Sequence, residues 1–257
     1  MLILNGTYLL EEQYGEKPDL QTRIAFQNKY GNDLYVNKLN KILDLSVLDQ
    51  VLDLGCGNGW VWKSLSSMAM NPNLTLCDFS KELVKACKDN LKNIPNETNF
   101  VIGNCIAPPF NNNSFSIITL FDVLHHFELS ELDILFRKLF ELLDDKGKLV
   151  LTMSSSHHMK AIYDLIATYG GEPSSSFVKR RDNIHNFITG QRLFFLIKRE
   201  EIINSFQPEK TDLIEYVKSM WGFHELKTCA QGKVLDYITN NTLTITASKV
   251  ICKLEKM

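Results

Sequence analysis

The stretch Val51-Leu-Asp-Leu-Gly-Cys-Gly-Asn-Gly59 decides the fold. Gln50–Leu54 is a short apolar run that stops at Gly55, which predicts a buried strand. Three glycines at alternate positions follow, and helical patterning begins at once, running from about Gly59 to Met70. Working outward, Leu74–Asp78 predicts a second strand and Lys81–Leu91 a helix with Ser80 as its N-cap. Asn99–Gly103 and Ser116–Phe121 predict further strands. Ser130 opens a helix to about Leu143, and Asp144, Asp145, Lys146 and Gly147 make a turn. Lys148–Met153 predicts a strand and His157–Tyr169 a helix. Upstream, residues 19–46 carry apolar spacing near 3.6 (Leu34, Leu39, Ile42, Leu43), so one or two helices precede the first strand. Strand and helix patterns alternate, which predicts an α/β fold with a largely parallel sheet covered by helices on both faces.

The second half is less determinate. Glu172–Ser176 predicts a loop. Arg192–Phe206 fits a helix, or a strand running into a helix. Asp212–Met220 predicts a helix, and Thr242–Cys252, rich in β-branched residues, a closing strand paired antiparallel with an earlier one.

Composition narrows the class. The 257 residues are 44% hydrophobic and 23% charged, which excludes a disordered or collagen-like chain. With 28 basic against 30 acidic residues the net charge is −2, which argues against non-specific DNA binding. No apolar run is long enough to span a bilayer. The opening MLILNGTYLLEEQYG lacks the parts of a secretory signal. The six cysteines, at 56, 77, 87, 105, 229 and 252, show no CxxC spacing. They read as reduced thiols, and the expected location is the cytoplasm.

A glycine-rich strand-to-helix turn lets backbone approach a ligand, and the helix N-terminus favours an anion or dipole. The dinucleotide fingerprint GxGxxG is not met, because position 60 is Trp, and there is no P-loop lysine. Asp78 ends the next strand, where an acid can accept hydrogen bonds from both ribose hydroxyls. Phe79 follows, placed to lie against an adenine face.

These features resemble the class I S-adenosylmethionine-dependent methyltransferases, in the small-molecule branch of methyltransferase domains 11 and 25. Val101-Ile-Gly-Asn-Cys-Ile-Ala-Pro-Pro-Phe110 resembles the family's G-D-A-x-x-L-P-F segment. Phe115–Phe127 (FSIITLFDVLHHF) resembles its fourth strand and following turn, and Leu142–Val150 the turn before its fifth. The resemblance covers about residues 45–155 well and the remainder weakly. It implies a Rossmann-like, seven-stranded, mostly parallel sheet. The implied organisation is an N-terminal helical cap over 1–48, a cofactor core over 49–153, a substrate lid over 154–221 and C-terminal strands over 222–257. Carried over, Asp53 would orient the glycine loop and the cofactor's amino end. Gly55 and Gly57 would pass beneath the cofactor and Asp78 would hold the ribose, with Phe79 beside it. Asn104, where the family has an acid, and Cys105 would flank the adenine. Phe121 would line the methionine portion, Tyr30 would close over the cofactor, and Asp122 would face the substrate.

Two histidine pairs, His125-His126 and His157-His158, stand at the expected ligand edge. Neighbouring helical residues point about 100° apart, so neither pair chelates by itself, and no metal is expected. One of them is either a satisfied, partly buried imidazole or a proton acceptor for substrate. Asp122, His125 and His126 are the candidate catalytic groups. Lys179, Arg180, Arg181, Arg192, Lys198 and Arg199 form a basic stretch, which reads as a solvated face or as a site for an anionic substrate or an RNA phosphate. The leading expectation is methyl transfer from S-adenosylmethionine to N, O or S of a small molecule, with no DNA and no membrane as partner. The alternatives are methylation of a macromolecule (tRNA or a peptide) and a catalytically silent nucleotide-binding protein. A nicotinamide-dependent oxidoreductase is opposed by the glycine spacing.

Overall fold

A computed structural model describes residues 19–65, 72–93 and 98–257. Residues 1–18 of the expected cap, and 66–70 of the first helix after the glycines, lie outside that description. Seven strands form one sheet: β1 Gln50–Leu54, β2 Asn73–Asp78, β3 Thr98–Ile102, β4 Phe115–Phe121, β5 Leu143–Ser154, β6 Phe194–Phe206 and β7 Ile245–Lys256. Their order is β3-β2-β1-β4-β5-β7-β6. The first five are mutually parallel, while β7 runs antiparallel to both β5 and β6. The helices are α1 Asp19–Tyr30, α2 Asn32–Leu43, α3 Trp60–Leu65, α4 Lys81–Leu91, α5 Leu129–Leu142, α6 Lys160–Thr168, α7 Ser174–Gly190, α8 Lys210–Lys218, α9 Trp221–His224 and α10 Thr228–Asn240.

The apolar runs of the central strands divide by parity. Val51, Ile117, Val150 and Ile251 pack with α2, α3 and α4, while Leu52, Ile118, Leu149 and Leu151 pack with α5 and α7. Both faces are covered, which is why these strands read as continuous apolar runs. A third cluster joins α1, α6, α8, α9 and α10 around Phe26, Ile162, Tyr216 and Val234, beside Ile245 at the start of β7. Among the described residues no helix is long and apolar enough to cross a membrane.

The Ser80 cap is present, its hydroxyl accepting from the Leu83 amide at 3.2 Å. The next helix starts one residue before Ser130, at Leu129, because Glu128 and Glu131 form a reciprocal capping box. Other expectations need correction. Arg192–Phe206 holds no helix; it contains the edge strand β6, whose register shifts between Leu196 and Lys198. The expected lid over 154–221 therefore includes a strand of the core sheet. The expected strands of 222–257 are a single strand, β7, preceded by α10. Glu172–Ser176 is no loop throughout, since Pro173 caps α7 and Ser174 begins it. The turn at Asp144–Gly147 is a bulge inside β5: β4 advances from Phe115 to Ile117 while β5 advances from Leu143 to Lys148, with Lys146 at φ 65. The helix expected from His157 begins at Lys160, because Met159 is left-handed at φ 55.

Candidate active site

The glycine loop leaves β1 with Gly55, Gly57 and Gly59 all at positive φ, the left-handed region that side chains disfavour. The three positions differ in their surroundings. A Cβ at Gly55 would stand 2.5 Å from Val123 Cγ2, and one at Gly59 would stand 2.6 Å from Cys87 Sγ. Those two glycines are required by packing. At Gly57 nothing lies within 4 Å of where a Cβ would be. Gly57 is thus the point where the loop offers bare backbone to a ligand.

Asp78, at the end of β2, is buried, and its two oxygens accept from the Gly57 and Ser80 amides at 2.9 Å each. Burial raises its pKa, opposed by these backbone donors. A carboxylate has about four acceptor sites, so ribose hydroxyls can be added to these bonds. Loop and acid are joined by one hydrogen bond, and a nucleoside lying over Gly57 reaches both. The bare cradle and the adjoining acceptor fit S-adenosylmethionine. Phe79, half-buried, adjoins this edge.

Asp53 is buried in the sheet. Its oxygens accept from Trp62 Nε1 at 2.8 Å and Thr119 Oγ1 at 2.7 Å. Register explains the second bond, since Asp53 pairs with Thr119 across β1 and β4. Burial pushes its pKa up to about 7 despite both donors. Asp53 therefore ties α3 to the sheet and so fixes the loop between them. Both oxygens already accept bonds within the protein, so its role in this structure is to hold the loop.

Where the adenine is expected, Asn104 Oδ1 accepts from the Ile106 amide at 2.9 Å and shapes the turn after β3. Cys105 is half-buried, and burial with the charge of Asp78 keeps its thiol protonated. Phe121 ends β4 and tilts against Trp62 at 6.0 Å. Tyr30 lies elsewhere than expected. Its hydroxyl donates to Asp212 at 2.5 Å and its ring stacks on Phe206 at 5.2 Å, because α1 docks on α8. The tyrosine that faces the strand ends is Tyr35 on α2, which donates to Thr152 Oγ1 at 3.3 Å.

Asp122 follows β4 at φ 55, its amide held by the carbonyl and hydroxyl of Thr152. Its carboxylate meets Lys249 of β7 at 2.6 Å, and Lys249 also reaches Ser154 Oγ at 3.4 Å. His125 and His126 form a short 3-10 turn with ring centroids 3.9 Å apart. His126 is half-buried and held neutral: burial followed by Arg180 and Arg23 lowers its pKa to about 4, against Asp122, which raises it. His125 is exposed, and His126, Lys249, Arg180 and Arg181 lower its pKa as well. His158 is buried, accepts the Ser248 amide at Nδ1 and is likewise neutral, whereas His157 is exposed beside Glu201 at 3.6 Å. Among the described residues no three His, Cys, Asp or Glu side chains converge as a metal site.

A pocket opens next to this group, lined by Tyr35, Trp60, His158, Met159, Phe206 and Lys249 among others. The structure thus brings together the glycine loop, Asp78, Phe121 and Asp122, and leaves Tyr30 outside. Sequence reasoning missed Tyr35, Thr152 and Lys249. The signal for Lys249 was present: it is a charge within the β-branched run TLTITASKVIC.

Comparison with known proteins agrees with this geometry. Residues 51–147 match the Methyltransf_25 model, a methyltransferase domain. The chain is 27% identical over 213 residues to a demethylmenaquinone methyltransferase of Thermotoga maritima, covering 77% of this chain and 89% of the relative. It is 33% identical over 122 residues to a ubiquinone/menaquinone biosynthesis C-methyltransferase of Shewanella sediminis, covering 45% of this chain; it spans about half, 48%, of that relative's length. Among solved structures, a phosphoethanolamine N-methyltransferase of Haemonchus contortus in complex with S-adenosyl-L-methionine aligns with TM-score 0.58 at 14% identity, covering 100% of this chain and 61% of that one. A geranyl diphosphate C-methyltransferase of Streptomyces coelicolor aligns with TM-score 0.53 at 12% identity, covering 87% and 76%. At such identities the structural likeness reports the fold. Residues 51–147 thus match a methyltransferase domain, and the fold and relatives together support an S-adenosylmethionine-dependent methyltransferase of class I, with S-adenosylmethionine as the cofactor.

Proposed function

We propose that this methyltransferase acts on a small molecule held in the pocket between α1, α2 and the ends of β6 and β7. The observation that carries this reading is the lining of that pocket, which adjoins the glycine loop through Trp60 and Asp122 through Lys249. Its walls are mostly apolar and aromatic, with Lys249, His158 and Tyr35 as the ionisable groups among them. Pockets of this make-up suit a small ligand oriented by few polar contacts. The cofactor supplies an electrophilic methyl group on a sulfonium. The chain has to bind the acceptor in line and exclude water, and such positioning is worth about 7–11 kcal/mol of barrier.

The helices α1, α2 and α6 to α10 form the cover in this reading, while β6 belongs to the sheet beneath. Asp122 is the group placed to take a proton from the acceptor, while His125 and His126, their pKa values lowered, are the weaker bases beside it. The acceptor atom is N, O or S; the relatives named for quinone C-methylation add carbon to that set. Incubation with S-adenosylmethionine labelled in its methyl group, against fractionated extract, tests the reading. Label is expected in the low-mass fraction. Label found in RNA or protein instead would replace it with the macromolecular alternative.

A further inference from the structure

The basic stretch on α7 divides on inspection. Lys179 and Arg180 are exposed, but Arg181 is half-buried and turned inward. Its guanidinium donates to the carbonyl oxygens of Ser155 and His158, each at 3.1 Å, and lies 5.3 Å over the Tyr163 ring. Arg23, on α1, likewise donates to a carbonyl, that of Ser219, at 3.1 Å. Carbonyl dipoles hold these guanidinium groups without cancelling their charge. Arg180 faces Glu128 at 3.8 Å with both side chains exposed, an arrangement that neutralises little. Lys249 is the cation closely paired, with Asp122.

All four cations act on one place. Lys249, Arg180 and Arg181 oppose a charge on His125; Arg180 and Arg23 oppose one on His126; Lys249 and Arg181 oppose one on His158. Asp122 and Glu201 are the carboxylates beside them, so cations outnumber anions around these imidazoles within a chain whose net charge is −2. Such a field, focused by apolar walls, concentrates anions. The side chain of Lys249 is only 13% exposed and lines the apolar pocket.

We propose that the methyl acceptor is a small organic anion whose carboxylate or phosphate docks on Lys249 in the pocket, with Arg181, bonded to the backbone of the pocket residue His158, as the supporting cation. Arg181 suits that role, since a guanidinium carries more donors than its carbonyl bonds use. The arriving anion shares Lys249 with Asp122 and so loosens the Asp122 carboxylate toward the reacting atom. The proposal rests on the small-molecule reading above.

The test titrates benzoate, benzamide and phenyl phosphate into the full chain saturated with S-adenosylhomocysteine, followed by calorimetry and thermal shift. Benzoate or phenyl phosphate is expected to bind saturably and the uncharged benzamide at least tenfold more weakly; the tighter of the two anions identifies the group. Lys249→Gln and Arg181→Gln should each weaken the anion about tenfold, the worth of one charged hydrogen bond. Arg181 also fastens α7, so Arg181→Lys, which keeps the charge, should retain most of the affinity. The exposed Arg180→Gln, which threatens no packing, should cost a few-fold. S-adenosylhomocysteine affinity, measured for every protein, separates the two ideas: its absence in the unaltered chain sinks the methyltransferase reading itself. If the nucleoside binds but benzamide matches benzoate, or neither anion binds at millimolar concentration, or Lys249→Gln and Arg180→Gln both leave anion affinity unchanged, the anionic acceptor is wrong. Binding of a single-stranded RNA oligonucleotide where the small anions fail would also overturn it.

Discussion

At the residue scale, three loop glycines have separable duties. Gly59→Ala forces a Cβ into Cys87 at 2.6 Å and into a left-handed backbone, so it should lower stability by roughly 2–4 kcal/mol. Gly57→Ala meets only the backbone cost, about 1 kcal/mol, yet places a methyl in the open space proposed for the cofactor. Its melting temperature should fall less than that of Gly59→Ala, and its S-adenosylmethionine affinity more, by calorimetry. Reversal of that order would dissociate the open space at Gly57 from the cofactor. Asp78→Ala should weaken cofactor binding by about 1.5–3 kcal/mol, as expected for a hydrogen bond to a charged group. Unchanged affinity would withdraw the ribose role. The motif was legible because glycine at a left-handed bend and an acid ending the next strand leave local traces. What Asp53 does was not legible. Its partners Thr119 and Trp62 are fixed by strand register and by the entry angle of α3, neither of which a linear pattern carries.

At the scale of elements, the parallel strands were readable because each is a buried run punctuated by turn residues. β6 was ambiguous for a physical reason. As an edge strand it exposes Phe195, Leu196, Ile197 and Ile203 and buries Phe194 and Ile202, so alternation is broken and its charges imitate a helix face. β7 carries Lys249 to Asp122 across 127 positions of sequence, a juxtaposition that only the antiparallel insertion of β7 beside β5 creates. This pairing predicts how Asp122 behaves. Asp122→Asn keeps the size and left-handed tolerance of the residue but removes the charge opposite Lys249. Turnover should fall roughly 10²-fold, in the range of a lost proton acceptor, while S-adenosylmethionine affinity changes less than threefold. Equal losses in both would assign Asp122 to the cofactor site. Tyr30 shows the converse. Its helix was foreseen, but α1 packs by the aromatic contacts of Phe26 and Phe206, and the hydroxyl follows that packing to Asp212.

At the scale of the whole molecule, keeping neutral imidazoles among cations links stability to pH. His158 accepts the Ser248 amide at Nδ1, so the folded chain cannot protonate that nitrogen without breaking the bond. Its pKa, with those of His125 and His126, lies below the free value. Above about pH 6.5, the unfolded value, these residues are neutral in both states and stability does not depend on them. As pH falls through 6.5 the unfolded chain takes up protons that the folded chain refuses, and each such proton costs about 1.4 kcal/mol of stability per pH unit. Asp53 acts with the opposite sign. Its folded pKa is about 7, so the folded chain gains a proton there that the unfolded chain lacks until about pH 3.9, and stability rises as pH falls across that window. Asp78, also raised by burial, acts with the sign of Asp53; the lowered histidines outweigh these two carboxyls, so the urea midpoint should fall between pH 7 and pH 5, followed by tryptophan fluorescence. His158→Gln, which keeps an acceptor for the Ser248 amide but cannot titrate, should make the fall shallower. Asp53→Asn, which removes its share of the opposing uptake, should make it steeper. A midpoint that stays constant or rises toward pH 5 would mean that the histidines take protons in the folded state. The positive field around them would then be weaker than the arrangement of Lys249, Arg180, Arg181 and Arg23 requires.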